Sequence, residues 1–480
     1  MASSKDDAST ILLPLYVDLD GTFIKSDMLF ESFLRAVKSN PLLIISIFGW
    51  LLKGRSYLKH KLALLDTTDV SVLPLNQDFY NFLNAEKSKG RKLILATASN
   101  ITQAQKISEA HPIFDDVIAS TEEINLKGNK KLEQIKQQSK YFAYAGNSTE
   151  DMPLFDSADE SYLVNPNFRS KKLVNSTKFA GVYDHKSLTI TTWIKQLRVY
   201  QWSKNALIFV PLFVSGLFLN IELVLDVIVG TLSFGLLASS TYIINDLLDL
   251  DADRNHHKKK NRPLASSDIS IQQGIFASAL LMLISLVVSW QLSESFFLVI
   301  LLYLFSTLFY SLKVKQYLIM DVIALASLYT MRIFAGAFLI DTIMSFWLLS
   351  FSMFIFLSLA LVKRCAELVN RPDGGTTVIV GRGYIKDDYY LLSSFGASSA
   401  LLAVLMFCFY VNNNALTNQY QEPHILWLIL PALCYWLMRM WIKTHRGEMH
   451  DDPIVYSLKD KGSLITVLFI ALITLSAQIL

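Results

Sequence analysis

Apolar residues divide the chain into two unlike parts. Up to about Lys186 short apolar stretches alternate with polar ones, whereas longer apolar blocks recur beyond it. Such blocks are long enough to cross a bilayer. They predict about nine spanning helices, at residues 206–220, 223–244, 274–291, 296–312, 319–340, 346–361, 391–411, 425–441 and 464–480. An amphipathic helix at residues 189–205 is expected to precede them at the membrane interface.

The loops between these spans differ in charge. Four predicted connections, at residues 220–222, 291–295, 341–345 and 412–424, contain no lysine or arginine. The connections on the other side, at 254–262, 313–315, 363–386 and 443–461, are rich in them. Basic loops stay in the cytoplasm. We therefore expect a multi-pass protein of the cell (inner) membrane, with its C-terminus outside and its N-terminal domain and active sites cytoplasmic.

Composition adds little to this division. The net charge of +3 and the mean hydropathy of +0.36 average the two parts, and we expect no nucleic-acid partner. Cys365, Cys408 and Cys434 lack metal-ligand or redox spacing, which argues against a zinc or disulfide framework. The opening residues 1–10 are polar and the apolar run at 11–17 is short, so no secretory signal is expected before the first domain.

Acidic and hydroxyl side chains follow the short strands of the N-terminal part. A buried strand at 11–17 leads to Asp18 and Asp20, and a second strand at 92–96 leads to Thr97. Lys131 comes next, and a strand at 141–145 then precedes Asp151. In an open α/β sheet ligands bind at the carboxyl ends of the strands. Two carboxylates one residue apart can serve there as nucleophile and general acid or base.

These segments together resemble the haloacid dehalogenase superfamily, whose members are mostly Mg²⁺-dependent phosphatases with an aspartyl-phosphate intermediate. The resemblance covers residues 12–165 and implies a Rossmann-like α/β sheet. It implies these roles: nucleophile for Asp18, acid or base for Asp20, phosphate binding for Thr97, charge neutralisation for Lys131 with Lys130 as competitor, and Mg²⁺ coordination by Asp18, Asp20 and Asp151. Asn147 stands where many members have an aspartate. The alternative is a degenerate, regulatory domain.

A helical insertion at residues 23–90 is expected to form a cap over this site. Its apolar run at 42–52 is too short to span a bilayer and suits either a core helix or an interfacial one. Ordinary packing within the cap is the favoured interpretation, and a lipid-facing surface is the alternative. We place the domain at residues 1–165, a polar linker at 166–191 and the membrane domain at 192–480.

An aspartate-rich segment ends the second long apolar block. Asn245, Asp246, Asp249 and Asp253 recur at helical spacings, so the aspartates share one face if the helix continues. Carboxylates at that spacing repel one another unless a cation neutralises them, and Mg²⁺ held through a phosphorylated substrate fits. Basic residues from Arg254 to Arg262 then suit phosphate groups, or serve only to set the topology of a cytoplasmic loop.

A second group of ionisable residues lies within or beside later spans. Tyr310 and Lys313 end the fourth span, and Asp321 and Arg332 lie in the fifth. Ionisable residues inside a membrane helix indicate function by default. The alternatives are a structural Asp321–Lys313 ion pair and, for Lys363 at the end of the sixth span, a snorkelling anchor.

The membrane part, at residues 192–480, resembles the UbiA superfamily of intramembrane polyprenyl transferases. Asn245-Asp246-x-x-Asp249-x-x-x-Asp253 is similar to its first aspartate-rich motif, whereas Asp321 lacks the further aspartates usual in its second motif. Other segments look like the decaprenyl-phosphate phosphoribosyltransferase branch, which joins phosphoribosyl pyrophosphate to a polyprenyl phosphate. They are Arg198-x-x-Gln201-Trp202-x-Lys204-Asn205, Arg262-Pro263, Tyr310-Ser311-x-Lys313, Asp321, Arg332 and Lys363-Arg364.

That resemblance implies Mg²⁺ as cofactor, held by Asp246, Asp249 and Asp253 against the leaving pyrophosphate. It implies substrate binding by Lys204, Asn245, Arg262, Tyr310, Lys313, Asp321, Arg332 and Lys363. The N-terminal phosphatase would then remove the 5′-phosphate from the lipid-linked product, giving a sugar donor for glycan synthesis. Two alternatives stay open: a UbiA-type transferase that moves a prenyl group from its diphosphate to an aromatic acceptor, and a transporter or lipid-binding scaffold.

Overall fold

A computed structural model describes residues 12–166, 170–175, 179–184, 189–370, 383–412, 420–449 and 452–479. The chain forms two compact units. The first unit comprises Met1–Gln196 together with Asp246–Phe276, and the second comprises Leu197–Asn245 and Ala277–Leu480. The aspartate-rich segment from Asp246 onward therefore folds with the N-terminal part of the chain.

A six-stranded sheet of parallel strands forms the core of the first unit, in the order β3-β2-β1-β4-β5-β6. The strands are β1 Leu15–Val17, β2 Leu93–Asn100, β3 Asp116–Ser120, β4 Ala143–Gly146, β5 Glu160–Val164 and β6 Gly181–Tyr183. Central β1 is fully buried, as the apolar run predicts for a parallel strand covered on both faces. The predicted α/β fold is confirmed, but the predicted linker is not entirely linker because it contains β6.

Helices α1 to α8 accompany this sheet. Their bounds are α1 Met28–Ser39, α2 Leu43–Leu52, α3 Arg55–Leu65, α4 Gln77–Ser88, α5 Ile101–Ala110, α6 Asn129–Gln138, α7 Met152–Ser157 and α8 Ile190–Leu197. The first four lie within the helical insertion predicted at residues 23–90. Asp27 caps α1 by accepting a hydrogen bond from the backbone N–H of Leu29 at 2.9 Å. The cap helices pack together through Ala36, Ile47, Leu58 and Leu62.

The remaining helices are mostly long and apolar. They are α9 Val210–Val214, α10 Ile221–Leu248, α11 Leu250–Arg254, α12 Ile271–Leu292, α13 Glu294–Leu312, α14 Met320–Leu339, α15 Phe346–Val369, α16 Asp388–Val411, α17 Ile429–His445, α18 Pro453–Ser457 and α19 Lys461–Ile479. Within the described ranges eight helical segments are long and apolar enough to cross a membrane, the seventh being Pro423–His445. The multi-pass membrane domain predicted from hydropathy is thereby confirmed.

The predicted first span at 206–220 is built differently and is not one helix. It consists of a 3₁₀ segment Val199–Phe209, then α9, then a 3₁₀ turn Leu217–Leu219. Pro211 lies at the start of α9, and Gly216 has φ of +71°, a left-handed conformation that ends the helix. The predicted amphipathic helix is also shorter than expected, because Arg198 adopts φ of +52° directly after α8.

Helix α14 packs closely against the 3₁₀ segment through a glycine. A β-carbon placed on Gly336 would lie 2.0 Å from the carbonyl oxygen of Ile208. That atom belongs to the backbone and cannot rotate away. The close approach therefore requires glycine at this position.

Gly336→Ala should destabilise the second unit by about 1–3 kcal/mol, because the methyl group forces the two segments apart. Gly49→Ala is the control, since a β-carbon on Gly49 meets nothing within 4 Å and a helical alanine is favourable. Both variants are heated in detergent, and size-exclusion chromatography measures the temperature at which half of the monodisperse protein is lost. Equal midpoints for the two variants would contradict this account.

Candidate active sites

The first candidate site lies at the carboxyl ends of β1, β2 and β4. Asp18 follows β1 directly, and Thr97 lies in β2 with its side chain buried. Lys131, from the first turn of α6, donates to Asp18 Oδ1 at 2.8 Å. Its Nζ also lies 3.8 Å from Asp151 Oδ1. The structure thus brings Lys131 to the acidic residues, whereas Lys130 is exposed.

Asp20 is held separately from Asp18. Its Oδ1 accepts from the backbone N–H of Met28 at 2.9 Å, and its Oδ2 accepts from Ser99 Oγ at 2.5 Å. Thr97 Oγ1 accepts from the N–H of Ser99 at 3.0 Å, which fixes the β2 tip. Asp20 is therefore oriented by α1 and by the tip of β2, in a position where an acid or base can be kept fixed.

Tyr144 completes the network, and sequence reasoning missed it. Its hydroxyl accepts from Lys131 Nζ at 3.2 Å and donates to Asp151 Oδ1 at 2.9 Å. Asp151 Oδ2 accepts from the N–H and hydroxyl of Ser148 at 3.2 and 3.0 Å. Tyr144 lies inside β4 and reads in sequence as a core residue, so only its alternation with Ala143 and Ala145 could have indicated that it faces α6.

Burial dominates the electrostatics of this site. It raises the pKa of Asp18 to about 7, against the opposing charge of Lys131. It raises the pKa of Asp20 to about 6, to which the charge of Asp27 adds. Burial would lower the pKa of Lys131, but Asp18 and Asp151 outweigh it and hold that pKa above its usual value. A cation bound beside the carboxylates would favour their ionised forms.

Asn147, where an aspartate was expected, lies beside the first motif. A β-carbon on Gly21, whose φ is +76°, would come within 2.1 Å of Asn147 Nδ2. The Asn147 side chain thus reaches the turn that follows Asp20. An amide oxygen there can still ligate Mg²⁺, although with less charge than a carboxylate.

The aspartate-rich segment does not continue as one helix. Helix α10 ends at Leu248, Asp249 is the N-cap of α11, and α11 carries Asp253. Asp246 and Asp253 nevertheless meet, because Arg262 Nη1 lies 3.0 Å from Asp246 Oδ1 and 2.5 Å from Asp253 Oδ2. The single face expected for three aspartates is thus replaced by a two-aspartate cradle around a guanidinium.

Arg262 supplies positive charge where a metal was predicted. Gln196 Nε2 donates to the second oxygen of Asp246 at 2.9 Å. In the part of the chain that the structure describes, no three His, Cys, Asp or Glu side chains are close enough to hold a metal ion. The donors themselves are oxygen atoms of the kind that Mg²⁺ prefers. The oxygen donors of Asp246 and Asp253 fit Mg²⁺ by their chemistry, Arg262 lies between them in this structure, and Asp249 is the third carboxylate of the motif.

Arg254 has a different role from the predicted phosphate contact. Its guanidinium donates to both carboxylate oxygens of Glu31, at 2.6 and 3.1 Å, and both side chains are buried. Arg35, one turn along α1, donates to Asp251 at 2.5 and 3.0 Å. These two pairs, called the cap latch below, join α1 to the aspartate-rich segment.

A basic cluster lies in the second unit. Lys204 and Lys363 both contact Asp452 Oδ2, at 2.8 and 3.1 Å, and the Tyr329 hydroxyl donates to the same carboxylate. Burial lowers the pKa of Lys204 to about 8 although Asp452 opposes it. Asp452 itself was missed. The sequence feature that could have indicated Asp452 is its position directly before Pro453, which is typical of a helix N-cap, and Asp452 does cap α18.

The other predicted residues of this unit separate into two groups. Arg332 is buried and donates to Asn205 Oδ1 at 3.1 Å and to the Tyr303 hydroxyl at 3.0 Å. Asp321 is fully buried and pairs with Arg364 Nε at 2.6 Å. The alternative of a structural Asp321–Lys313 ion pair is therefore wrong, since Arg364 is the partner of Asp321 and Lys313 is exposed.

Tyr384 and Tyr310 complete the surroundings of Arg364. The Tyr384 hydroxyl donates to Asp321 Oδ1, and Arg364 donates to the Tyr310 hydroxyl at 3.3 Å and to Glu367. Asn245 is half-buried at the end of α10. Asp321 is thus neutralised by Arg364 and accepts a hydrogen bond from Tyr384.

A model of the UbiA prenyltransferase family matches residues 207–473, more than half of the chain. The chain belongs to the UbiA prenyltransferase family. An uncharacterised protein, y4nM, of Sinorhizobium fredii is 37% identical over 94% of this chain and 88% of its own. The nodulation protein NoeC of Azorhizobium caulinodans is 30% identical over 58% of this chain and 91% of its own.

Decaprenyl-phosphate phosphoribosyltransferases are also similar to this UbiA family member. The one from Mycolicibacterium smegmatis is 34% identical over 36% of this chain, which spans 56% of that relative's length. The structure of a UbiA homologue from Archaeoglobus fulgidus bound to GPP and Mg²⁺ has a TM-score of 0.46 and 17% sequence identity. The match covers 60% of this chain and the whole of the homologue. A HAD family hydrolase from Salmonella enterica has a TM-score of 0.27 and 15% sequence identity, and the match covers 36% of this chain and 68% of the hydrolase.

Asp20→Asn should stabilise the first unit of this UbiA protein at pH 8 in the presence of a chelator. The raised pKa means that native Asp20 contributes its full stability below about pH 4 and loses it as the pH rises through about 6. The gain should be on the order of 1–3 kcal/mol at pH 8 and absent at pH 4. Hydrogen exchange of β1 and β2 in the full-length protein measures it. A gain of the same size at both pH values would contradict the assignment.

Breaking the cap latch should be costly because it leaves a buried charge without a partner. Glu31→Gln is expected to cost about 3–5 kcal/mol, since Arg254 then stays buried and charged. Glu31→Leu combined with Arg254→Met should cost much less than Glu31→Gln. Hydrogen exchange of α1 and α11 reports the change, with Glu109→Gln on the exposed face of α5 as control. The latch would be refuted if Glu31→Gln behaved like the control.

Proposed function

We propose that this UbiA-family protein transfers 5-phosphoribose from phosphoribosyl pyrophosphate to a polyprenyl phosphate, and that its N-terminal domain then removes the 5′-phosphate. The observation that carries the choice of donor is the state of Asp321. A prenyl diphosphate donor calls for a second set of metal-binding aspartates, but Asp321 is buried and paired with Arg364 and Tyr384. One aspartate-rich segment suits one Mg²⁺–pyrophosphate group.

In the transfer, the lipid phosphate oxygen attacks the anomeric carbon and pyrophosphate leaves with the electrons of the broken C–O bond. Asp246, Asp249 and Asp253 would hold Mg²⁺, which supplies charge neutralisation to the leaving group. Lys204 and Lys363 share one carboxylate, so their excess charge suits a phosphate. The nucleophile is already anionic, and positioning rather than proton transfer sets the rate.

In the second reaction Asp18 would attack the 5′-phosphate and Asp20 would give a proton to the departing sugar hydroxyl. Water then releases inorganic phosphate from the aspartyl phosphate, with Asp20 taking the proton back. Lys131 and Thr97 would bind the phosphoryl oxygens. The contacts of Lys131 with Asp18 and of Ser99 with Asp20 support this assignment. We expect both reactions on the cytoplasmic side, where the basic loops are predicted to lie.

Membranes that contain the full-length protein test the transferase. Phosphoribosyl pyrophosphate labelled in the ribose is added with polyprenyl phosphate, with Mg²⁺ or a chelator, and lipids are extracted. Label should enter the lipid only with Mg²⁺ and fall about 100-fold or more in Asp249→Asn. Asp268→Asn, an exposed acid of the same segment, should behave as wild type. No labelled lipid under any condition would favour a prenyl diphosphate donor and an aromatic acceptor.

Asp18→Asn separates the two activities. Labelled lipid should still form in this variant but keep its 5′-phosphate, because the nucleophile of the second reaction is missing. Thin-layer chromatography before and after treatment with an added phosphatase distinguishes the two lipids. If Asp18→Asn released as much phosphate as wild type, the N-terminal domain would not be the phosphatase.

A further inference from the structure

Helix α2 of the cap exposes most of its apolar side chains. It buries only Ile47, which packs on α1 and α3. The exposed apolar residues of this helix and its N-cap, called the α2 surface, are Leu42 at 74%, Ile44 at 51%, Ile45 at 75%, Phe48 at 65%, Leu51 at 46% and Leu52 at 77%. A contiguous apolar surface of this kind marks a site of interaction with a protein or membrane. Ordinary packing within the cap does not account for it.

The charges around the α2 surface favour a membrane as the occupant. Lys38 precedes the helix, Lys53 and Arg55 follow it, and all three are exposed. Helix α2 itself contains no charged residue. Its ten residues extend about 15 Å, half of what a span requires. A short apolar helix with basic residues at both ends suits the headgroup region of an anionic bilayer.

The cap latch ties this surface to a chain segment that follows a candidate membrane span. Arg254 lies six residues beyond the end of α10, a helix long enough to cross the membrane. Arg254 pairs with Glu31 and Asp251 pairs with Arg35, so α1 is tied to the segment that directly follows α10 in the chain. Helix α2 begins four residues after α1 ends.

The helices beneath α2 reach the phosphatase site. The first residue of α1, Met28, donates its N–H to Asp20. On α3, Lys59 Nζ donates at 2.7 Å to the carbonyl oxygen of Ala98, which lies between Thr97 and Ser99. A helix seated in the headgroup region would therefore hold this site at the membrane surface.

We propose that the α2 surface inserts into the cytoplasmic headgroup region and so presents the phosphatase site to the phosphate monoester of a membrane-anchored lipid. This rests on the proposed function for its substrate. The location of α2 stands independently of it. The surface selects lipid-linked over water-soluble esters because only the former are concentrated in the layer that α2 occupies.

Fluorescence quenching tests the location. In full-length protein with Cys365, Cys408 and Cys434 replaced by alanine, an environment-sensitive dye is attached to Ile45→Cys or, as control, to Glu109→Cys on α5. Both are measured in vesicles of phosphatidylcholine and phosphatidylglycerol. Dye at 45 should be quenched by doxyl lipids and at least threefold less by iodide than dye at 109. Quenching by iodide equal to the control, or protection from both quenchers, would overturn the proposal.

Activity tests the selectivity. Ile45→Ser combined with Phe48→Ser should hydrolyse p-nitrophenyl phosphate as wild type does, but should lose about tenfold or more on a phosphoribosyl lipid in vesicles. Equal losses on both substrates, or none on either, would overturn the proposed selectivity. If the wild-type protein hydrolyses the soluble ester and not the lipid, the proposed function fails, while the quenching result still decides where α2 lies.

Discussion

A carboxylate and a guanidinium that are both nearly removed from water hold the first unit together. Glu31 belongs to the cap of an α/β domain, and Arg254 ends the short helix α11 that follows a candidate membrane span. Taking each charge out of water costs several kcal/mol, and only close, bidentate geometry offsets that cost. Helix α1 donates its first N–H to Asp20 and carries Glu31 about one turn later, so one helix contacts both the first candidate site and the aspartate-rich segment.

Internal ion pairs stand where substrate charges are expected in both units. Arg262 lies between Asp246 and Asp253, and the carboxylate of Asp452 lies between Lys204 and Lys363. Charged groups that are largely buried must be neutralised in the absence of ligand. Under the proposed function, magnesium pyrophosphate and a lipid phosphate would replace these internal partners. The free energy of binding would then be the difference between the contacts formed with the substrates and the internal ion pairs that are broken.

The sequence predicted best what depends on local pattern. The strand that leads to Asp18, the hydroxyl of Thr97 and the long apolar helices follow from runs of neighbouring residues, and the structure has them, although β2 extends past Thr97 to Asn100. Pairings between distant segments were missed. Nothing near Glu31 indicates Arg254, and Asp452 reads as a loop residue. The broken first span was also missed, because hydropathy does not register the turn at Gly216.

The cap latch also has a consequence for the order of events during synthesis. Glu31 and Arg254 are 223 residues apart, so translation at about 5–20 residues per second separates their appearance by about 10–45 s. Throughout that time Glu31 of the nascent cap lacks Arg254, because the Asp246–Phe276 segment of the same unit is made only from the end of α10 onward. The first unit is thus completed only after the residues of α10, a candidate membrane span, have been made, and synthesis of part of the membrane domain becomes a step in the folding of the α/β unit.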